Sequence, residues 1–271
     1  ASWTTMIPPP STSTPRGGGK KNGDDDDLVT SLPTGEEERR LFADDDESIP
    51  EALPALAQTL SVSKWKSEAL IRRAINACLR VGTAKEIDLL VAYIQRQDIP
   101  DALRAEGIAT LGTWGNPSVL DRVDGRYRGQ LDRKSADVVA KVSGIIPRFL
   151  KSKNLEVLTA TGQLIAELGI QDVKSEQTQL FLNHPSQKVR ASQLSSLIAL
   201  KDQNLPLLLT KGIEDIDRNV RALALGSLDK IVLSKNQLPG IINPIFEKGS
   251  VPEQQQLLQS IAKMPAENTQ D

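Results

Sequence analysis

From Ser48 onward, apolar residues recur at the spacing of helices that bury one face, and this pattern constrains the fold more than any other feature. Gly82 is expected to end the first clear helix, and the turn at 98–100 follows the second. The two apolar faces hold Leu70, Ile71, Ala74, Ile75, Cys78 and Leu79, and then Ile87, Leu90, Val91 and Ile94. The sequence therefore predicts helices joined in pairs by short turns.

The helix pairs recur along the chain. A shift of 33 residues places Ile75 on Ile108 and Gly82 on Gly115. A shift of 31 residues places the segment 188–191 on the related segment 219–222. Periods of this length with two helices each are typical of stacked helical solenoids.

A charge spacing accompanies the repeat. Asp98 lies six residues before Arg104, and Asp215 lies six residues before Arg221. His184 takes the aspartate position before Arg190, so that repeat departs from the pattern. The spacing resembles the HEAT repeat, and the resemblance implies a ladder in which Asp and Arg side chains pair between neighbouring repeats.

We predict an all-α fold. A flexible Pro/Ser/Gly-rich and acidic tail is expected over residues 1–47, followed by a HEAT-like α-α solenoid over residues 48–271 with an inserted segment near 112–150. Beyond the first two helices, the expected helices are 51–61, 133–150 (interrupted by Pro147), 154–168 with 173–182, 187–200 with 204–212, 218–232 with 236–248, and 252–263.

The tail is predicted from its composition. Residues 7–19 are rich in Pro, Ser, Thr and Gly, and acidic runs follow at 24–27, 36–38 and 44–47. Such segments bury too little apolar surface to offset the entropy of ordering, so the tail is expected to be disordered or extended. Clustered carboxylates also raise the alternative of a calcium site, but the alternating ligand order of an EF-hand is absent.

Composition excludes several classes of site and partner. The chain has one cysteine, one histidine and a formal net charge of −2. An intrachain disulfide framework and a zinc site built from several cysteines are therefore excluded. No basic stripe with interleaved aromatic residues suggests nucleic acid, and the apolar runs are shorter than the roughly 20 residues of a membrane span.

Isolated reactive residues do not form a catalytic pattern. Cys78 lies on an apolar helix face, which favours a buried thiol over a nucleophile. His184 lies in an expected turn without a recognisable nucleophile or orienting carboxylate nearby. The glycines at 17–19 before Lys20 lack the preceding strand of a phosphate-binding loop. We predict no catalytic, cofactor-binding or metal-binding residue, and hence a chain that is not an enzyme.

The segment 112–129 differs most from the rest of the sequence, because it combines aromatic residues with a cluster of arginines and aspartates. Two interpretations stay open: a structural insertion with a short helix starting at Asn116-Pro117 and a turn at Asp124-Gly125, or a docking surface for a protein partner. The candidate interface residues are Trp114, Asp121, Arg122, Asp124, Arg126, Tyr127 and Arg128.

Two stretches carry a family resemblance. The segment 103–123, which includes Leu-Gly-Thr-Trp-Gly-Asn-Pro-Ser-Val-Leu-Asp-Arg-Val, and the segment 249–256 resemble the HEAT-repeat region of bacterial secreted dehydrogenase-like proteins of the planctomycete type that bind c-type haem. The resemblance implies a periplasmic or cell-surface location, with the cytoplasm as the alternative. Because Cys-x-x-Cys-His is absent, any c-type haem is expected in an adjacent domain or partner.

The predicted function is a non-catalytic helical-repeat scaffold that contacts other protein subunits or domains. The family resemblance places it in a larger electron-transfer or dehydrogenase-like assembly. The alternatives are a HEAT-like accessory protein for bilin attachment by a lyase, and a general cytoplasmic adaptor.

Overall fold

The computed structural model describes residues 50–231 and 238–264. These residues form thirteen α-helices and three short 3-10 helices, and their only β-type pairing is one isolated bridge between Leu120 and Tyr127. The prediction of an all-α fold is confirmed. The predicted tail over residues 1–47 lies outside the described residues.

Among the fully described connections between α-helices, the one between the fourth and the fifth is the longest. They are α1 (Leu53–Gln58), α2 (Glu68–Val81), α3 (Ala84–Gln95), α4 (Asp101–Gly112), α5 (Ala136–Val142), α6 (Ile146–Phe149), α7 (Leu155–Leu168), α8 (Lys174–Asn183), α9 (Gln187–Ala199), α10 (Leu205–Ile213), α11 (Arg218–Leu225), α12 (Leu238–Lys248) and α13 (Val251–Ile261). The 3-10 helices are Pro50–Ala52, Thr59–Ser61 and Leu228–Lys230.

Local capping explains where the longest helices begin and end. The Asn154 side chain accepts hydrogen bonds from the backbone N–H groups of Glu156 and Val157 at 2.9 and 3.0 Å, which caps α7. Gly82 ends α2 with φ 72° and Gly169 ends α7 with φ 68°, a left-handed conformation that glycine adopts without steric cost. The predicted end of the first clear helix at Gly82 is confirmed.

Three expected helices differ from the structure. Residues 51–61 form α1 flanked by two 3-10 turns, and the described part of 218–232 divides into α11 and a 3-10 helix after Gly226. The stretch 133–150 divides into α5 and α6, and Pro147 lies in the first turn of α6, where its missing N–H costs no helical hydrogen bond. Asn116-Pro117 starts no helix, because the chain continues into a hairpin instead.

One series of helices is linked by direct packing. In order along the chain, α2 contacts α4, α4 contacts α7, α7 contacts α9, α9 contacts α11, and α11 contacts α13. The intervening helices pack beside this series, as α3 does on α4, α8 on α9 and α10 on α11. Each inner member of the series therefore buries side chains against the member before it and the member after it.

The buried apolar side chains form two clusters. The first extends from Leu56 to Leu200, and the second from Phe181 to Met264. Cys78 lies in the first cluster, fully buried, and burial raises the pKa of its thiol to about 12. The thiol therefore stays protonated at neutral pH, and the predicted buried position of Cys78 is confirmed.

Candidate protein-interaction site

The longer segment between α4 and α5 contains a small β-hairpin over residues 119–128. The backbone N–H of Asp121 donates to the carbonyl of Arg126 at 2.7 Å, and that of Arg128 donates to the carbonyl of Val119 at 2.8 Å. Gly125 occupies the turn with φ 73°. The Asp-Gly pair thus turns the chain as the sequence predicts, between two segments joined by the single bridge of Leu120 and Tyr127.

Asp121 holds the base of the hairpin. Its Oδ1 atom accepts hydrogen bonds from the backbone N–H groups of Val123 and Asp124 at 2.8 and 3.3 Å. Its Oδ2 atom accepts from Asn76 Nδ2 of α2 at 2.7 Å and from Arg128 Nε at 3.2 Å. Burial alone would raise the pKa of this carboxyl, but these donors hold it below its ordinary value.

Further ion pairs join the hairpin to the helices and to itself. Arg122 contacts Glu106 of α4 at 3.3 Å and donates a hydrogen bond to Thr110 Oγ1 at 3.3 Å. Arg128 Nη2 contacts Asp124 Oδ2 at 2.9 Å. Five of the seven candidate interface residues therefore have ion pairs within the insertion or to α4, namely Asp121, Arg122, Asp124, Arg126 and Arg128.

Trp114 does not lie on an exposed surface, so its assignment to an interface is wrong. Its ring is 1% exposed and belongs to the first apolar cluster. The guanidinium of Arg133 covers the ring, 4.9 Å from its centroid. The indole follows directly after α4, and its large apolar area is buried in the core, where it stabilises the fold more than it would on the surface.

The tip and outer face of the hairpin are exposed. Tyr127 is 73% exposed, Leu120 49% and Val119 39%, and the Arg126 side chain is 56% exposed. We call these four residues the hairpin surface. Sequence reasoning found Tyr127 and Arg126 but missed Val119 and Leu120, although apolar residues on both sides of an Asp-Gly turn are a hairpin signal.

No model of a known protein family matches this chain, and a search of curated proteins finds no match. The resemblance to haem-binding dehydrogenase-like proteins therefore stays a prediction.

The predicted ladder residues lie in inter-helix turns and first helical turns. The Arg190 guanidinium makes two hydrogen bonds to the Asp215 carboxylate, at 2.8 and 2.7 Å, and a third nitrogen donates to the carbonyls of His184 and Pro185. Both charged side chains are nearly buried. Burial would raise the pKa of Asp215, but the bonds from Arg190 and the Asp217 N–H keep it below its ordinary value.

Arg221 repeats this arrangement one helix pair later with a different acid. It donates to Glu253 Oε1 at 2.6 Å and to the carbonyls of Asp215 and Ile216 at 2.9 and 3.0 Å. The pairing of Arg221 with the Asp215 carboxylate, expected from the sequence, is therefore corrected. Each arginine reaches forward to the carboxylate of the next repeat and back to the carbonyls of its own turn.

Asp98 and Arg104 differ further from the expected ladder. Asp98 forms its ion pair with Arg96, whereas Arg104 contacts Asp101 and donates to the backbone carbonyls of Ile94 and Arg96. Both ion pairs are local in the chain, so neither joins one helix pair to the next. Asp101, only three residues before Arg104 on the same helix, is nearer to its guanidinium.

The remaining residue considered for catalysis, His184, makes a hydrogen bond that supports its turn. His184 Nδ1 accepts a hydrogen bond from the backbone N–H of Ser186 at 3.1 Å, which fixes its ring in the turn after α8. Across residues 50–231 and 238–264, no group of three or more His, Cys, Asp or Glu side chains could hold a metal ion. Within the same ranges, no helix is both long and apolar enough to cross a membrane.

Proposed function

We propose that the described helices form a HEAT-like solenoid. The support is twofold: the packing of alternate helices in one continuous series, and the repeated arginine contacts of Arg190 and Arg221. In such a stack each unit buries its apolar face only against its neighbours, which gives an extended surface for partners.

We propose further that the chain is a non-catalytic scaffold that binds a protein partner through the hairpin surface. The observation that carries this proposal is the 73% exposure of Tyr127 on a hairpin whose base is fixed by a buried carboxylate. Tyrosine and arginine are the residue types that most often dominate binding energy at interfaces.

The fixed base matters for affinity. Association loses free energy when mobile loops must be ordered on binding. Here Asp121 joins the hairpin to α2 through Asn76, and Arg122 joins it to α4 through Glu106. The hairpin surface is therefore presented in one conformation before a partner arrives, and the apolar area of Val119, Leu120 and Tyr127 is available for burial.

The test is site-specific photocrosslinking in the source cells. A photocrosslinking amino acid placed at Tyr127 or Leu120 is expected to yield the same discrete adduct, identified by mass spectrometry. The matched control position is Ile216, which is 90% exposed in the turn before α11. The protein found in the adduct is then purified. Tyr127→Ala is expected to weaken the binding of that protein to this chain by about tenfold or more.

The same measurements can contradict the proposal. Tyr127→Ala should leave the melting temperature unchanged, because the side chain is exposed and makes little packing contact. An equal yield of the same adduct from position 216, or unchanged partner binding by Tyr127→Ala, would remove the hairpin surface as the interface.

We also propose that the scaffold belongs to a periplasmic or cell-surface assembly containing a c-type haem, carried by an adjacent domain or partner. The support is the resemblance of segments 103–123 and 249–256. The native complex, isolated through this chain, is expected to stain for covalent haem after denaturing electrophoresis. A haem-free complex confined to the cytoplasm would reject this part of the proposal.

A further inference from the structure

A pocket of about 290 Å³ lies beside the base of the hairpin, between α1, α2 and the insertion. Its polar lining residues are Asn76, Arg80, Asp121 and Arg128. Its apolar lining residues are Pro50, Leu53 and Leu131. The pocket therefore combines apolar lining residues with a cluster of hydrogen-bonding groups, which is the usual composition of a ligand site.

Two polar side chains of this pocket have unused hydrogen-bonding atoms. Asn76 is 3% exposed, and while its Nδ2 donates to Asp121, its Oδ1 has no hydrogen-bond partner. The Nε and Nη1 atoms of Arg80 are also buried without an acceptor. Buried polar groups in folded proteins are nearly always hydrogen-bonded, so the pocket lacks a group that accepts from Arg80 and donates to Asn76.

The charges of the pocket favour an anion. Asp121 is paired with Arg128 at 3.2 Å, so these two charges compensate each other. Arg80 forms no ion pair with any described residue, and its one hydrogen bond goes to the carbonyl of Ser118 at 3.5 Å. Burial lowers the pKa of this guanidinium, and the neighbouring charge of Arg128 adds to that effect, while the Asp121 and Asp124 carboxylates only partly oppose it.

We propose that this pocket binds the carboxyl terminus of a protein partner, with a free carboxylate on Arg80, the last backbone N–H on Asn76 Oδ1, and an apolar last side chain against Leu53 and Leu131. A terminal residue is the simplest peptide group that carries a carboxylate, an N–H two bonds away and a side chain together. This proposal identifies the chemical group that a partner of the proposed scaffold would present. It rests on the scaffold function only for its biological role, since binding of the terminal residue itself can be measured independently.

The test uses N-acetyl-leucine, which contains these three groups and, besides them, only the acetyl group that makes the N–H an amide. Titration into the full chain, followed by the perturbation of assigned amide resonances, is expected to give saturable binding centred on residues 76–80 and 118–131. N-acetyl-leucinamide is expected to bind at least about tenfold more weakly than the acid, because it cannot make the charge-assisted bond. Acetate, which lacks the N–H and the side chain, is expected to bind weakly as well.

Arg80→Gln tests the role of the cation, because it removes the charge and keeps a shorter, polar, hydrogen-bonding side chain. It should reduce the affinity for N-acetyl-leucine to that for the amide and leave the folded spectrum intact, because Arg80 has no ion pair to lose. The matched control is Arg148→Gln, an exposed arginine on α6 that does not line the pocket; it should not change binding.

Three results would overturn the proposal: no saturable binding of N-acetyl-leucine, equal binding of the acid and the amide, or equal binding of acetate. The last would indicate an adventitious anion site. None of these results involves the hairpin surface, so the partner-binding proposal at Tyr127 would stand or fall separately on its crosslinking test.

Discussion

Asp121 shows how one buried side chain organises a segment that has almost no regular secondary structure. Its four hydrogen-bond donors come from its own turn, from the opposite strand of the hairpin and from α2. Because Asn76 is itself buried in α2, the hairpin is fastened to a buried position of that helix. A hydrogen bond to a charged group contributes about 1.5–3 kcal/mol, so this residue stabilises the insertion strongly.

Asp121→Asn is expected to lower the free energy of unfolding by about 2 kcal/mol, measured by urea denaturation. The amide keeps one oxygen for the backbone donors, but its nitrogen would face the donor group of Asn76 and no longer compensates the charge of Arg128. The control is Asp132→Asn, an exposed position in the same segment, with an expected change below about 0.5 kcal/mol. Equal effects of both variants would contradict the role given to Asp121.

Single residues also mark the limit of sequence reasoning. Asp124-Gly125 correctly predicts a turn because its backbone preference is local. The burial of Trp114 could not be predicted, because it depends on Arg133 and on core residues that are distant in the chain. An aromatic residue beside charged residues has the same local pattern whether it faces the core or a partner.

Between elements, close contacts at glycines set how near neighbouring helices approach. Gly212 of α10 faces Ala224 of α11, and a Cβ atom at position 212 would lie 2.7 Å from the Ala224 Cβ. The Ala224 methyl is attached directly to the backbone and cannot rotate away. The distance between these two helices therefore depends on the absence of a side chain at position 212.

Gly212→Ala is expected to lower the free energy of unfolding by about 1–2 kcal/mol, because overpacking exceeds the gain in helix propensity. Gly144→Ala is the control, since a Cβ there meets nothing within 4 Å, and it should be neutral or slightly stabilising. Thermal and urea denaturation give the comparison. If Ala224→Gly fails to relieve the effect of Gly212→Ala in a double-mutant cycle, the steric explanation is wrong.

At this scale the sequence predicted the helices better than the contacts between them. The apolar spacing locates α2, α3 and α7 through α10 nearly as the structure has them. The Asp-to-Arg spacing placed Arg190, Asp215 and Arg221 beside inter-helix turns, and Arg190 does pair with Asp215, but the spacing did not give Glu253 as the partner of Arg221. The partner of each arginine depends on which turns lie side by side in the fold. Glu253 lies on α13, where no aspartate precedes an arginine by six residues, so the spacing could not indicate it.

Over the whole described structure, the two separate apolar clusters indicate that unfolding at one end of the helix series is only partly coupled to unfolding at the other end. Each helix contacts mainly its neighbours, and in such an array stability is approximately the sum of local terms. A destabilising substitution at one end should then lower the stability of only part of the chain. The proposed solenoid is consistent with this behaviour.

Leu209→Ala removes a fully buried side chain from the second cluster and should cost about 2–5 kcal/mol locally. Hydrogen exchange followed by mass spectrometry is expected to show faster exchange in α10 to α13 and nearly unchanged exchange in α2 to α4. Leu90→Ala, equally buried in the first cluster, should give the reverse pattern. A uniform loss of protection in both variants would mean that the two clusters unfold as one cooperative unit.

The Arg221–Glu253 contact has a consequence for the order in which this end of the chain assembles. Glu253 Oε2 accepts from the backbone N–H and hydroxyl of Ser250, which is the capping box that starts α13, while Oε1 accepts from Arg221 on α11. The same carboxylate therefore initiates one helix and attaches it to another. We therefore expect helix α13 to form more readily once α11 is in place, which is the order in which the two segments leave the ribosome.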